Sequence, residues 1–140
     1  MVIGIKTGTF VILHSGHIEC FRQCKSMCDK LIVLINNDDY ILRKKGCIPM
    51  PAVDRKIILE SIKYIDEVHI FDEPTEDRWI AEFKKSDWAQ ENCDKLIVFH
   101  SSEYANRENV PGINNADEII YIYKGSKSTS NIFEIIRNAK

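Results

Sequence analysis

Two continuous apolar runs, Lys30–Asn36 (KLIVLIN) and Lys95–Phe99 (KLIVF), constrain the fold of this chain more than any other feature. Neither run alternates apolar with polar residues, so neither has a face to give to water. Strands of that kind are covered on both sides, as in parallel sheets. Parallel neighbours cannot be joined by a tight hairpin; a crossover, usually a helix, must lie between them.

The intervening sequence supplies those crossovers. Val2–Thr7 reads as a first strand, and Gly16–Met27 as a helix with Ile18, Phe21, Cys24 and Cys28 on its apolar side. Val53–Ile65 reads as a helix with Ile57, Ile58, Ser61 and Ile62 inward, followed by a third strand, Glu67–Phe71. Thr75–Glu91 is helical and broken once, Glu118–Tyr123 is a fifth strand, and Ser130–Asn138 a closing helix. Asp38–Pro51, which is polar, basic and Pro-containing, reads as a loop, and Ser101–Asn115, with Pro111 and Gly112, as a long irregular segment. Alternating strands and helices predict an α/β fold: a five-stranded parallel sheet, doubly wound and Rossmann-like, in strand order 3-2-1-4-5. A single domain is expected over residues 1–140.

Composition excludes several classes. Formal net charge is −2, so no basic excess points to nucleic acid as the partner. No apolar stretch approaches the ~20 residues a membrane-spanning helix needs. Met1-Val2-Ile3-Gly4-Ile5 lacks the basic start of a signal peptide and reads as a buried strand, so a soluble, cytoplasmic protein is expected, with no membrane partner. Cys20, Cys24 and Cys28 recur every four residues and share one helix face. With His17 they can be drawn as a zinc site. Zinc ligands usually come from a turn or from two elements, so the preferred reading is small apolar side chains facing a core, with no metal site.

Chemistry concentrates at Gly8-Thr9-Phe10-Val11-Ile12-Leu13-His14-Ser15-Gly16-His17, between the first strand and the first helix. A helix N-terminus offers unpaired N–H groups and partial positive charge, which suits phosphate. Gly16 allows close backbone approach, and His14 and His17 add N–H donors. Ligands of doubly wound sheets bind beyond the carboxyl ends of the strands. That edge also receives the loops after Asn36, Phe99 and Tyr123. Arg43-Lys44-Lys45-Gly46 lies there, and a lysine is a mobile point charge able to reach a phosphate. So does Ser126-Lys127-Ser128-Thr129-Ser130, whose hydroxyls suit either an ordinary helix cap or a second phosphate clamp.

The H-x-G-H segment resembles the signature of a nucleotidyltransferase superfamily, and several other segments resemble its cytidylyltransferase family, over about Val2 to Ile136. Lys45-Gly46 followed eight residues later by Asp54-Arg55 is similar to the cytidylyltransferases for choline phosphate, ethanolamine phosphate and glycerol 3-phosphate. Arg55 to Val68 closely resembles the glycerol-3-phosphate type. The resemblance implies catalytic roles for His14, His17 and Lys45, with Lys44 as second candidate. It implies nucleotide contacts from Gly8, Thr9, Phe10, Gly16, Arg55, Ser128, Thr129 and Ser130. His100, Lys124 and Lys127 are expected to bind the second substrate. His69 is expected to be structural.

The chain also departs from the family pattern. Val11 stands where the family has an acid, and Ser101-Ser102 where it has an acidic pair. Tyr123-Lys124-Gly125-Ser126 replaces the start of the terminal R-T-E-G-I-S-T motif, so Lys124 or Lys127 would replace the missing charge. The implied reaction moves a nucleotidyl group, CMP first, from a nucleoside triphosphate with Mg²⁺ to a small phosphorylated alcohol such as glycerol 3-phosphate or phosphocholine. Two alternatives remain at this point: an ATP-dependent adenylyltransferase for a sugar 1-phosphate, suggested by Asn131-Ile132, and a degenerate nucleotide-binding module without activity. A homodimer is expected. The chain stops at Lys140 without an amphipathic tail, so the lipid-regulated control of larger choline-phosphate enzymes is not expected.

The clamp reading has a direct test. Thr129→Val should raise the nucleotide KM or lower turnover at least ~10-fold, about 1.4 kcal/mol, with only a modest change in Tm. A cap alone would cost about 1 kcal/mol of stability and leave the kinetics unchanged.

Overall fold

Strand β1 (Val2–Gly8) is the axis of the molecule. It pairs in parallel with β2 (Lys30–Asn36) on one side and with β4 (Lys95–Ser101) on the other, so that Ile5 lies between Ile32 and Val98. Strand β3 (Glu67–Phe71) extends the sheet beyond β2, and β5 (Glu118–Ile122) extends it beyond β4. The order is 3-2-1-4-5 with every pairing parallel, as the sequence predicts. The computed structural model describes residues 1–72, 76–123 and 129–139, the side chains of residues 129–133 excepted.

Both faces of the sheet are covered, which is what its apolar runs require. Helix α1 (Ser15–Ser26) and helix α3 (Ala52–Glu60) cover one face. There Phe21, Cys24 and Leu59 pack on Leu31, Val33, Ile35 and Phe99. On the other face Ile80 of α4 (Glu76–Lys85) packs on Ile3, Ile5, Ile32, Leu34, Leu96 and Val98. Alternate residues of β2 and β4 therefore serve opposite cores. A further short helix, α5 (Asp87–Asn92), begins at the Ser86 cap, which is the expected break. Cys24 is buried and Cys20 and Cys28 are half-buried against the first core.

The amino-terminal edge of the sheet is closed by aspartates. Asp66 accepts from the Leu31 N–H at 2.7 Å and returns its own N–H to the Leu31 carbonyl at 2.9 Å. Asp117 does the same with Leu96, and Asp29 with Val2. Each aspartate immediately precedes a strand and fastens it to its neighbour. Among the described residues the carboxyl edge carries no such closure.

Three local expectations need correction, the first being that Ile18, expected on the apolar side of α1, is exposed. Asp38–Pro51 is not all loop: Asp38–Lys45 forms helix α2. Asn37 caps it by accepting from Tyr40 N–H at 2.9 Å, Asp38 and Asp39 occupy its first turn, and Arg43, Lys44 and Lys45 its last. These charges complement the helix dipole, and Gly46 ends the helix at φ 75°, a conformation that favours glycine. The face of α3 also differs. Ala52, Arg55 and Leu59 point inward, whereas Ile57 is 58% exposed and Ile58 41%. The reason is Arg55, whose buried guanidinium makes four hydrogen bonds and so fixes which side of the helix meets the sheet. Ile62 still packs on the core, but from beyond the helix end.

This register predicts a contrast in stability. Leu59→Ala should cost about 2–5 kcal/mol, the usual range for emptying a buried leucine site. Ile57→Ala should cost well under about 1 kcal/mol in the same denaturant titration.

Candidate active site

A cleft of about 450 Å³ opens at the carboxyl edge, above the ends of β1, β2 and β4. Its first wall is the H-x-G-H turn. His14 is the N-cap of α1, and its Nδ1 accepts from the Gly16 N–H at 3.1 Å. His17, three residues on, accepts at Nδ1 from the His14 N–H at 3.2 Å. The two histidines thus form a reciprocal capping box, the place usually taken by serine and glutamate. Because both Nδ1 atoms receive an N–H, the neutral ring of each carries its proton on Nε2. The ring centroids are 4.0 Å apart, and both rings line the cleft.

The turn is braced from below. Phe10 adopts a left-handed conformation at φ 50°, unusual for a bulky residue. This puts its ring edge-on to His17, centroids 5.5 Å apart at 80°, and against Phe21 at 5.2 Å. Gly8 is required underneath, since a Cβ there would lie 2.6 Å from Phe10 Cζ. Gly8, Thr9, Phe10 and Gly16 all line the cleft.

The facing wall comes from α2. Lys45 lines the cleft, while the Nζ of Lys44 lies 5.7 Å from the centre of the Tyr40 ring. Arg55 lies beneath rather than in the cleft and is 1% exposed. Its guanidinium donates to the carbonyls of Met50 at 3.0 Å, Thr9 at 2.8 Å and Asn36 at 2.8 Å, and to Asp38 Oδ1 at 3.4 Å. Asp38 also accepts from Ala52 N–H at 2.7 Å, joining the start of α2 to the start of α3. Burial pulls the Arg55 pKa down and Asp38 opposes it; an arginine stays charged regardless.

The third wall is β4. His100, 8% exposed, donates from Nε2 to the Pro111 carbonyl at 2.7 Å, which leaves Nδ1 an acceptor. Burial lowers its pKa and keeps the ring neutral. Val11, at the position of the family acid, is buried. Ser101 lines the cleft, and so does Glu103, one residue past the serine pair. Lys124, Lys127 and Ser128 lie outside the described residues, as do the side chains of Thr129 and Ser130.

Three charged cleft residues escape the sequence reading: Lys6, Glu76 and Glu103. Lys6 had a signal, a lone cation inside a strand whose neighbours Ile3 and Ile5 are fully buried. Glu76 had none, because nothing local in Thr75–Glu91 shows that the helix starts at the cleft.

A parallel sheet in this order, with paired histidines at its first crossover, defines a phosphate-handling α/β enzyme class. Comparison with known proteins makes it specific. A family model described as cytidylyltransferase-like matches residues 5–131. The chain is 37% identical over 94 residues to a glycerol-3-phosphate cytidylyltransferase of Bacillus subtilis, covering 67% of each chain. It is 39% identical over 64 residues to an FAD synthase of Pyrococcus horikoshii, covering 45% of this chain and 43% of that protein. It is also 39% identical over 87 residues to the bifunctional protein HldE of Rhodopseudomonas palustris, covering 60% of this chain and 18% of that one. Against the last two the chain spans less than half of the relative's length. In fold it matches a lipopolysaccharide core biosynthesis protein of Thermoplasma volcanium with a TM-score of 0.66 at 23% identity, over 87% of this chain and 96% of that one. This chain belongs to the cytidylyltransferase-like family and is an enzyme of the nucleotidyltransferase superfamily.

The Arg55 geometry makes a prediction. Arg55→Lys keeps the charge but cannot reach three carbonyls with one planar fork. It should cost at least about 2 kcal/mol in thermal or chemical denaturation, since buried acceptors lose their donors. It should also lower kcat without selectively raising either substrate's KM.

Proposed function

We propose that this protein transfers a nucleotidyl group, CMP in the first instance, from a nucleoside triphosphate to a small phosphorylated alcohol. An oxygen of the acceptor phosphate attacks the α-phosphorus and forms a new P–O–P bond. The bond from the α-phosphorus to the bridging oxygen breaks, and its electron pair leaves with pyrophosphate. The attacking oxygen is already ionised, so no proton has to move. Catalysis of this kind consists of positioning and neutralising phosphate charge.

The observation that carries this reading is the paired-histidine box. It fixes two imidazole rings at the mouth of α1 in the tautomer that puts the proton on Nε2, the donor atom for phosphate oxygens; His14 Nε2 is buried. Lys45 lines the opposite wall and adds a cation. Mg²⁺ is expected to accompany the triphosphate, held chiefly by phosphate oxygens and water, and it would neutralise part of their charge. Among the described residues no group of three His, Cys, Asp or Glu side chains converges on a common point. No described helix is long and apolar enough to cross a membrane.

CTP is favoured over ATP by the glycerol-3-phosphate cytidylyltransferase relative, the likeness with the more extensive coverage of this chain. The second reading, adenylyl transfer from ATP, is supported by the FAD synthases, which are 39–42% identical over shorter segments. A panel of four nucleoside triphosphates against glycerol 3-phosphate, phosphocholine and a sugar 1-phosphate, read by pyrophosphate release, decides between them. The expected result is release with CTP, and a drop of at least ~10²–10³-fold in His17→Ala, with a folded protein whose stability falls only by about the 1 kcal/mol of a lost helix cap. Preferential release with ATP would move the protein to the adenylyl reading. No release with any pair would leave only nucleotide binding.

A further inference from the structure

Lys6 is the least expected residue of the cleft. It sits 9% exposed near the carboxyl end of the central strand. An ammonium group has three donors, yet the one hydrogen bond recorded for this Nζ runs to the Thr7 carbonyl at 3.2 Å. Among the described residues Lys6 forms no salt bridge. A desolvated cation in that state is costly unless an anion joins it.

Glu76 presents the converse. It opens α4 on the far side of the same cleft, and its Oε2 is buried with no hydrogen-bond partner. Its carboxyl pKa is raised: burial outweighs the help it receives from a Thr7 hydrogen bond and from the Lys6 charge. His100 lines the cleft beside these two, with Nδ1 as an acceptor. A cation with few acceptors therefore lies beside a carboxylate oxygen short of a donor and an imidazole nitrogen able to accept.

The H-x-G-H turn and Lys45 already provide for the triphosphate, and a carboxylate at Glu76 would repel one. Lys6 stands between the two regions. Its charge acts on Cys20 of α1 on one side and on Glu76 and His100 on the other. That is where the acceptor's phosphate has to meet the nucleotide. We propose that Lys6, Glu76 and His100 form the acceptor subsite, with Lys6 on the attacking phosphate and Glu76 and His100 on hydroxyl groups, so that the acceptor is a phosphorylated polyol or sugar rather than a phosphorylated quaternary amine.

A trimethylammonium group has no N–H or O–H for these acceptors and is usually held among aromatic faces. Tyr104, the tyrosine nearest His100 in the cleft, already has Arg107 over its ring at 4.3 Å. The subsite rests on the nucleotidyl-transfer reading, but its test separates the two.

Lys6→Met and Glu76→Gln are compared with the parent protein, using CTP with Mg²⁺ and glycerol 3-phosphate, a hexose 1-phosphate or phosphocholine. The parent should prefer a hydroxyl-bearing acceptor to phosphocholine at least ~10-fold in kcat/KM. Lys6→Met should raise that acceptor's KM at least ~10-fold while moving the CTP KM less than about twofold. Glu76→Gln should raise the acceptor KM at least ~5-fold and also raise Tm near neutral pH, because it removes a poorly paired buried carboxylate. Calorimetric titration of glycerol 3-phosphate and the hexose 1-phosphate reads the subsite without turnover. Binding lost in Lys6→Met supports the assignment even if no nucleotide is consumed. If Lys6→Met does not fold, Glu76→Gln decides. The proposal is overturned by a preference for phosphocholine, by equal rises in the CTP and acceptor KM, by unchanged acceptor KM in a folded variant, or by failure of both phosphates to bind the parent.

Discussion

The cleft depends on one buried guanidinium. Three segments converge at the carboxyl edge: the turn after β1, the end of β2, and the approach to α3. Where strands give way to loops, their carbonyls lose the sheet partners that satisfied them, and a buried unsatisfied acceptor is costly. Arg55 answers Thr9, Asn36 and Met50 together, and Asp38 balances its charge. Only a planar fork with five donors reaches so many acceptors from one position. The geometry of the H-x-G-H turn and of the lysine-bearing helix follows from this fastening, because each grows from a segment that Arg55 holds.

The two edges of the sheet divide the labour of the fold. At the amino edge, aspartates lock each strand to the next through paired backbone hydrogen bonds. That edge is closed and rigid. At the other, the same side-chain types are scarce: Val11 and Ser101 stand where acids are expected. The histidine rings are oriented by hydrogen bonds from the backbone. On the proposed reading, phosphate would be met by imidazole N–H groups and by lysines. Among the described residues that line the cleft, the acidic groups are Glu76 from α4 and Glu103 from the segment after β4. This asymmetry is the physical basis for the proposed division of the cleft into a triphosphate side and a hydroxyl-binding side.

The parts of this architecture legible in the sequence are those carried by local pattern. Continuous apolar runs announced strands buried on both faces, and the alternation with helices announced parallel order. H-x-G-H marked the turn between the first strand and the first helix, and the structure places both rings in the cleft. Helix α2 was legible in principle. Asn37 as cap, acids first, cations last and Gly46 as stop are ordinary helix signals, but the glycine and prolines beyond Lys45 outweighed them in the reading. The inward face of α3 was not legible. Counting apolar residues chose Ile57 and Ile58, whereas the helix is turned by a charged residue whose partners lie 5 to 46 positions away in the chain.

By itself the sequence determined the layer architecture, the strand order and the position of the H-x-G-H turn, because each follows from periodicity or from a contiguous motif. The tertiary structure alone decided which side chains share the cleft. Lys6, Glu76 and His100 are separated by tens of residues, and a strand, a helix start and another strand bring them to one edge. It alone also decided that Arg55 works beneath the site. Whether a charge faces solvent, phosphate or backbone carbonyls depends on which carbonyls the fold leaves unpaired around it, and that is a property of the packed chain rather than of any segment of it.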